Sequence, residues 1–301
     1  MRIENLLQDL NITYQTEGHK HCRQGWINME CPFCTGNPGY HLGFSIRSEY
    51  FSCWRCGGHG VLDTIAKLSR LPIPRVRELI RQYGGRSRLL TRELEKIEKL
   101  PFLLPSGLQS LQAHHMRYLR SRNFDPEYLV NVWDLQGTGP SSMLGNIDYK
   151  NRIFAPVYWN ETMVSFQCRA LSTSPTKPKY KACPGNREIL QHKHILYGQQ
   201  EEWKETGICV EGITDVWRLG TSAFAVFGIQ YTIQQVKTIA ANFKKVAVVF
   251  DDDPQAVRQA NRLTAELRFA GVDAWREDIQ GDPGGLSELA AQKLVEEIFQ
   301  K

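Results

Sequence analysis

The sequence predicts an α+β protein of several domains, and three stretches of the chain lead to this prediction. Residues 19–60 combine glycine, cysteine and aromatic residues with short alternating runs, which is typical of a small antiparallel sheet. Residues 151–200 alternate again around a Pro/Thr/Lys-rich loop and indicate a mixed α/β subdomain. From residue 206, apolar strands alternate with amphipathic helices, which predicts a mostly parallel sheet covered on both faces.

The main domain boundary is expected at Gly84-Gly85, where a basic, charged stretch begins and runs to Pro101. This stretch reads as a linker that becomes a charged helix. We therefore predict a four-part organisation, comprising an N-terminal module, a linker, a basic subdomain and a C-terminal domain at 1–83, 84–104, 105–205 and 206–301.

The helices and strands are predicted from apolar spacing along the chain. The spacing predicts helices at 1–15 and in two segments of 60–83, and one helix around Leu111–Arg120 that is followed by loops up to residue 150. In the C-terminal domain the predicted strands are Ile208–Val210, Ala223–Val226, Val246–Phe250 and Ala274–Arg276. The predicted helices there are 213–219, 232–242, 255–270 and 287–299.

Composition and charge narrow the classes of function. Hydrophobic residues make up 42% and charged residues 23%, which is ordinary for a soluble globular protein. No apolar run approaches a membrane span, and the N-terminus has no secretory signal, so we expect a cytoplasmic protein with no membrane partner. Two stretches, 67–99 and 150–193, each carry a net charge of +6, against +5 for the whole chain. Such blocks suit a polyanion partner, although solvated helix faces would explain them equally well.

Four of the eight cysteines form two C-x₂-C pairs, with eighteen residues between the pairs. This spacing lets two turns bring four thiolates to one tetrahedral Zn²⁺. A closed four-cysteine site predicts a structural zinc ion in a zinc-ribbon-like module, with the ligands Cys31, Cys34, Cys53 and Cys56. Nearby side chains that could substitute as ligands, but are expected to be surface or hydrogen-bonded groups, are His21, Cys22, His41 and His59.

Aromatic and basic side chains of the same module are candidates for contact with unpaired bases. Trp54 and Arg55 lie between the second pair of cysteines and could stack on single-stranded nucleic acid. Trp26, Tyr40 and Phe44 have the same chemistry, but some of these rings must pack the small core.

Three acidic clusters follow predicted strands of the C-terminal domain. Glu211 follows the first strand, Asp251 and Asp253 follow the strand that ends near Phe250, and Asp282 follows the last. Ligands of open α/β sheets bind at the carboxyl ends of the strands. Carboxylates gathered there would repel one another unless a divalent cation such as Mg²⁺ joined them. One alternative reading is a helix N-cap, which Asp253 before Pro254 would suit.

The order of these motifs resembles the bacterial-type DNA primases, which carry a zinc-binding domain and a Toprim polymerase domain. The resemblance to the Toprim domain rests on the segments Glu211–Asp215 (EGITD), Ala225–Gly228 (AVFG) and Phe250–Asp253 (FDDD). Further upstream, the family's basic subdomain is matched by the segments Asn151–Val157, Cys168–Leu171, Pro178–Tyr180 and Leu196–Gly198. Gly57–Asp63, after the cysteines, resembles the end of the family's zinc domain.

The resemblance implies a role for each matched residue. Glu211, Asp251 and Asp253 would hold catalytic Mg²⁺ or Mn²⁺, with Asp215 and Asp282 beside them. Template or nucleotide phosphates would be held by Arg152, Arg169, Lys179 and Lys193. The implied activity is primer synthesis by a DNA-directed RNA polymerase, a nucleotidyltransferase that uses two metal ions, NTPs and a single-stranded DNA template. A replicative helicase acting in trans is the expected protein partner.

The sequence departs from the family pattern in three places. The family's last Asp-Pro-Asp is Asp282-Pro283-Gly284 here, so one carboxylate is missing, and Asp278 or Glu288 is a possible substitute. Cysteine replaces the histidine that many relatives have as the second zinc ligand. The chain also ends soon after the Toprim region, which favours a phage or mobile-element origin.

Two other classes of function remain in view at this stage. Recombination mediators also join a four-cysteine zinc site to a Toprim domain and only bind DNA, but their two elements lie close together in sequence. Here a long stretch separates Cys56 from Glu211. A Toprim nuclease or topoisomerase is the second alternative, against which the sequence offers no GxxxxGK[ST] loop and too little length for strand passage.

Overall fold

The structure is a computed structural model that describes residues 1–17, 22, 24–33, 39–53, 57–86, 99–172 and 178–301. It divides into two compact units, Met1–Ile97 and Glu98–Lys301. None of the helices in these described ranges is long and apolar enough to cross a membrane.

The N-terminal unit is a five-stranded antiparallel sheet with helices before and after it. The strands follow one another in the order β1-β2-β3-β4-β5. Its elements are α1 (Ile3–Asp9), β1 (Tyr14–Gln15), β2 (Trp26–Met29), β3 (Leu42–Ser45), β4 (Tyr50–Cys53), β5 (Gly57–His59), α2 (Val61–Ser69) and α3 (Ile73–Gln82). Apolar side chains of the sheet and of all three helices share one core, in which Leu6, Phe44 and Ile80 are fully buried.

The first part of the C-terminal unit is built on a second antiparallel sheet, with the strand order β12-β11-β10-β7-β6. Its long central pair, β10 and β11, is buried over most of its length. The elements are β6 (Leu108–Gln109), α4 (Ala113–Ser121), α5 (Pro126–Trp133), β7 (Gln136–Thr138), β8 (Met143–Leu144), β9 (Ile147–Asp148), β10 (Arg152–Trp159), β11 (Thr162–Ala170) and β12 (Tyr180–Ala182).

The second part of this unit is a four-stranded parallel sheet, with the strand order β14-β13-β15-β16. Three of its strands, at residues 206–210, 223–225 and 245–248, are mostly apolar and buried, as expected for a sheet with helices on both faces, whereas the edge strand at 273–276 is partly exposed. The elements are β13 (Thr206–Val210), α6 (Ile213–Leu219), β14 (Ala223–Ala225), α7 (Ile233–Asn242), β15 (Lys245–Val248), α8 (Pro254–Phe269), β16 (Asp273–Arg276) and α9 (Glu288–Phe299). This architecture confirms the α+β fold class, with an antiparallel module first and a parallel sheet last.

Two predictions of secondary structure, a helix in the first unit and a loop segment in the second, are wrong in part. The helix predicted over 1–15 ends at Asp9, because Asn11 adopts a left-handed φ of 52° and the chain then enters β1. The segment predicted as loops after residue 121 contains α5. Asp125 caps this helix by accepting hydrogen bonds from Glu127 N and Tyr128 N, and Pro126 occupies its first turn.

Candidate functional site

The carboxyl ends of β13 and β15 bring three acidic side chains together. The two strands are parallel neighbours, so Glu211 and the Asp251–Asp253 turn leave the sheet at the same edge. The Asp251 backbone N–H donates to Glu211 Oε1 over 3.0 Å. Glu211, Asp251 and Asp253 each offer a carboxylate oxygen, and these oxygens lie within 4.8 Å of one another. The arrangement predicted from the strand ends is therefore present, while its role as a metal site stays a prediction.

A second acidic group shares one residue with the first. Asp215 lies in the first turn of α6, is 5% exposed, and accepts a hydrogen bond from Gly212 N over 2.8 Å. It forms a group with Asp251 and Asp282, again with ligand oxygens within 4.8 Å. Asp251 thus belongs to both groups, and the two possible cation positions are adjacent.

The electrostatics of the cluster fit a divalent cation. Burial, followed by the charge of Asp251, raises the pKa of Glu211 to about 8. Burial and the charge of Asp282 raise the pKa of Asp251 to about 6, and the same two causes raise the pKa of Asp215. Carboxylates with raised pKa values either take up protons or bind a cation, because both relieve their mutual repulsion. An all-oxygen donor set of this kind suits Mg²⁺ or Mn²⁺.

Gly284, which stands where the family has its second aspartate, lies close to the carboxylate of Asp215. A Cβ atom on Gly284 would lie 2.7 Å from Asp215 Oδ1 and 3.4 Å from the Thr214 backbone carbon. Neither suggested substitute joins the cluster in the described structure, because Asp278 is 75% exposed and pairs with Arg276. Glu288, the other suggestion, begins α9 and lines a different groove with Arg218. Asp282 is the member of this motif that reaches the site.

Among the cations expected near phosphates, Lys179 is placed beside the carboxylates. It lines the cavity formed by the two acidic groups, and its charge lowers the pKa of Asp251. Arg169 is 2% exposed and donates to the hydroxyl groups of Tyr118 and Tyr180. Its guanidinium therefore lies against two tyrosine rings, of which Tyr180 lines the cavity.

The other two predicted cations have their donors directed at backbone carbonyls. Arg152 is 4% exposed and donates to the carbonyls of Cys168 and Pro178, so it joins β11 to the chain leading into β12. The Lys193 Nζ donates to three carbonyls of the turn after β14, those of Val226, Phe227 and Gln230. In these positions both residues shape the backbone around the site, and their contact with phosphate stays a prediction.

The cavity beside the acidic groups has a volume of 230 Å³. Sequence reasoning did not single out several of its lining residues, namely Gln167, Tyr180, Thr214 and Phe227. Tyr180, Thr214 and Phe227 lie inside the segments that carry the family resemblance, and Gln167 directly precedes one of them, but nothing in their spacing indicates that they face the carboxylates. Only the packing of β11 and of the turn after β14 against the parallel sheet brings them there.

The structure describes half of the predicted zinc ligands. Cys31 lies just beyond β2 and Cys53 ends β4, and both are buried at the same end of the N-terminal sheet, since Met29 pairs with Leu42 and Leu42 with Cys53. The remaining predicted residues of this module, which lie outside the described residues, are Cys34, Trp54, Arg55 and Cys56. The four-cysteine site therefore stays a prediction. Phe44, a candidate for base stacking, is fully buried in the core of the module instead.

Comparison with known proteins gives matches of structure alone. No family model matches the sequence, and no curated protein matches it. The zinc-binding and RNA polymerase domains of the Aquifex aeolicus primase align with 99% of this chain and 83% of their own, with a TM-score of 0.53 and 18% identity. A DnaG primase catalytic domain solved with bound single-stranded DNA covers 63% of this chain and 72% of its own, with a TM-score of 0.52 and 18% identity.

A primase domain from Pseudomonas aeruginosa is as similar to this chain as the DnaG catalytic domain is. It covers 62% of this chain and 70% of its own, with a TM-score of 0.52 and 17% identity. At these identities the likeness concerns the fold. The fold of this chain is therefore that of the bacterial DNA primases, as the order of its sequence motifs indicates.

Proposed function

We propose that the protein is a DNA primase, a DNA-directed RNA polymerase that synthesises short RNA primers on single-stranded DNA. The observation that carries this proposal is the pair of acidic groups that share Asp251 at one edge of the parallel sheet. Two adjacent cation positions are what nucleotidyl transfer by two metal ions requires. The primase fold of the whole chain supports the same activity.

The residues of the site would have three roles in the reaction, namely metal binding, phosphate binding and support of the surrounding backbone. Glu211, Asp251 and Asp253 would hold one ion, and Asp215, Asp251 and Asp282 the other. Bound there, Mg²⁺ or Mn²⁺ would activate the attacking hydroxyl of one nucleotide and stabilise the pyrophosphate that leaves the next. Lys179, beside these carboxylates, would neutralise phosphate charge of the incoming NTP. Arg152 and Lys193 would hold the walls of the site in place through the carbonyls that they contact.

The template class rests on charge and on a related structure. The 150–193 stretch has a net charge of +6 and includes Lys179, which lines the cavity next to the acidic groups. The DnaG catalytic domain with the same fold was solved with single-stranded DNA bound. We therefore propose single-stranded DNA as the template, with Arg169 and Lys179 nearest to it and a helicase in trans as the protein partner.

The N-terminal module is proposed to bind one structural Zn²⁺ and to steady the template. The zinc ligands would be Cys31, Cys34, Cys53 and Cys56. The burial of Cys31 and Cys53 at one end of the sheet supports this assignment. Trp54 and Arg55, between the second pair of ligands, would contact unpaired bases of the template.

A primer-synthesis assay tests the proposed function. Purified protein with single-stranded DNA, the four NTPs and Mg²⁺ or Mn²⁺ is expected to yield short oligoribonucleotides. D251A should abolish them, because it removes a ligand from both acidic groups. The matched control is D278A, which removes an exposed aspartate after the adjacent strand that pairs only with Arg276 within the described structure.

Two outcomes would contradict the proposal. Full activity of D251A would show that the acidic edge is not the catalytic site. Cleavage of labelled DNA by the wild-type protein in the absence of NTPs, without any primer synthesis, would indicate a Toprim nuclease.

A further inference from the structure

Phe227 has an unusual backbone conformation at the wall of the candidate site. It follows β14 with a left-handed φ of 61°, which is uncommon for a bulky residue and costs conformational energy. The following Gly228, with a φ of 104°, donates its N–H to the carbonyl of Glu211 over 2.6 Å. Lys193 Nζ donates to the Phe227 carbonyl over 2.7 Å. The surrounding structure therefore fixes the turn and maintains the strain.

The Phe227 ring is held at steep angles by two aromatic neighbours. Its centroid lies 5.1 Å from that of His192, with an interplanar angle of 76°, and 6.2 Å from that of Tyr197, with an angle of 69°. His192 is itself anchored, because its Nδ1 lies 2.5 Å from Oε1 of Glu188. Glu188 is 2% exposed and also accepts a hydrogen bond from Ser165 Oγ over 2.6 Å. A ring supported in this way is oriented before any ligand binds.

Gln167 faces the same cavity from the antiparallel sheet. It is 8% exposed, lies on β11, and lines the cavity together with Phe227, Lys179 and the carboxylates. Within the described part of the chain, no residue forms a hydrogen bond with its side-chain amide. An amide that is nearly buried and points into a polar cavity offers a ligand both a donor and an acceptor.

We infer that Phe227 and Gln167 form the base-contacting wall of a nucleotide site, with Phe227 stacking on the base and Gln167 bonding to its edge. The phosphates of the nucleotide lie toward Lys179 and the acidic groups. That the ligand is a nucleotide rests on the proposed function. A cavity of 230 Å³ is smaller than the about 300–1,000 Å³ of a typical ligand pocket, so it takes a part of the nucleotide. Because every base has a π face, Phe227 provides affinity for all four NTPs.

Titration calorimetry of the 301-residue chain with two probes tests this inference. ATP carries a base, whereas inorganic tripolyphosphate carries only the phosphate chain, and both are titrated in the presence of Mg²⁺. F227L keeps an apolar side chain of similar size but removes the π face, so ATP affinity should fall about five-fold or more while tripolyphosphate affinity is unchanged. Q167L should reduce ATP affinity about two- to ten-fold, also without affecting tripolyphosphate.

Two further variants separate stacking from structure. F227W restores an aromatic face and should recover ATP binding. F269L makes the same change as F227L at a phenylalanine that is 96% exposed, and it should leave binding of both probes unchanged. Thermal unfolding of each variant shows whether the protein is folded.

The outcomes distinguish this inference from the proposed function. An equal loss of both probes in F227L and F227W, or no loss in F227L, would overturn the role of Phe227. In primer synthesis, F227L should raise the KM for NTPs with little change in kcat. A wild-type protein that binds ATP through Phe227 but makes no primers would refute the primase proposal and leave the base-contacting wall intact. Primer synthesis with an unchanged KM in F227L would do the reverse.

Discussion

Asp251 is the residue on which the candidate site depends most. It follows β15, its backbone N–H bonds to Glu211, and its carboxylate belongs to both acidic groups. The other members have separate positions, since Asp253 lies on the exposed side of the cluster and Asp215 on the buried side. Substitutions should therefore remove the two proposed ions separately or together, depending on the residue that is changed.

Calorimetric titration with Mn²⁺ should resolve this division. The wild-type site is expected to bind two ions, D253N and D215N one each, and D251N neither, because the shared ligand is lost. Asparagine retains the helix cap that Asp253 provides to Gln255 N and Ala256 N, so the fold is preserved. Thermal unfolding of each variant provides the control. Two ions bound by D251N would contradict the shared-ligand geometry.

At the scale of helices and strands, the sequence predicts most of the parallel sheet. Continuous apolar runs identify β13 and β15 because both faces of these strands are covered, and the acidic residues after them mark the shared edge. Loops are predicted in place of the helix α5, although Asp125-Pro126 is a typical helix start. Helix-start signals of this kind can be recognised from the sequence, because they involve only neighbouring residues.

Contacts between elements were not predictable in the same way. Arg152 and Lys193 are basic residues in a basic stretch, and a phosphate partner is predicted for them from the family resemblance. Their carbonyl acceptors come from chain segments 16 to 37 residues away. Such pairings depend on how the antiparallel and parallel sheets pack, which the spacing of residues along one element does not encode.

The helix α4 contains a histidine that should make stability depend on pH. His115 is fully buried, and the Gln112 backbone N–H donates to its Nδ1 over 3.1 Å, so the ring is neutral. Burial, followed by the charge of His114, lowers the pKa of His115 from its ordinary 6.5 to about 4. The unfolded chain therefore binds a proton at a higher pH than the folded chain does. This contribution to stability is present above pH 6.5 and is lost as the pH falls toward 4.

Chemical denaturation at several pH values checks this expectation. The free energy of unfolding should decrease by up to about 1.4 kcal/mol per pH unit between pH 6.5 and 4 from this group. H115Q removes the titrating ring, and the difference between the two pH profiles isolates its contribution. Profiles with the same slope in the wild-type protein and H115Q would show that His115 does not titrate in this range.

The whole molecule consists of two units that each have their own core. Leu6, Phe44 and Ile80 belong to the core of the N-terminal unit, whereas the clusters around β10, β13 and β15 lie within the C-terminal unit. Small modules depend strongly on a bound structural metal, since metal binding and folding are coupled. The proposed zinc ion should therefore stabilise one unit and leave the other unaffected.

Differential scanning calorimetry of the full chain should show this separation. A zinc chelator is expected to lower the temperature of one unfolding transition and to leave the second transition, that of the C-terminal unit, in place. C53S should have the same effect as the chelator, and its matched control C22S should retain both the zinc content and the transition. A protein that is folded in both units and contains no zinc would contradict the zinc assignment.

The backbone of Gly284 against Asp215 has a consequence for the last acidic motif. A side chain at position 284 would place its Cβ atom 2.7 Å from Asp215 Oδ1 and 3.2 Å from Asp282 Oδ1, so these carboxylates would have to move. An aspartate at position 284 therefore requires the Asp215 carboxylate to shift from its observed place. Restoring the family's second aspartate would thus disturb a residue that belongs to the second acidic group.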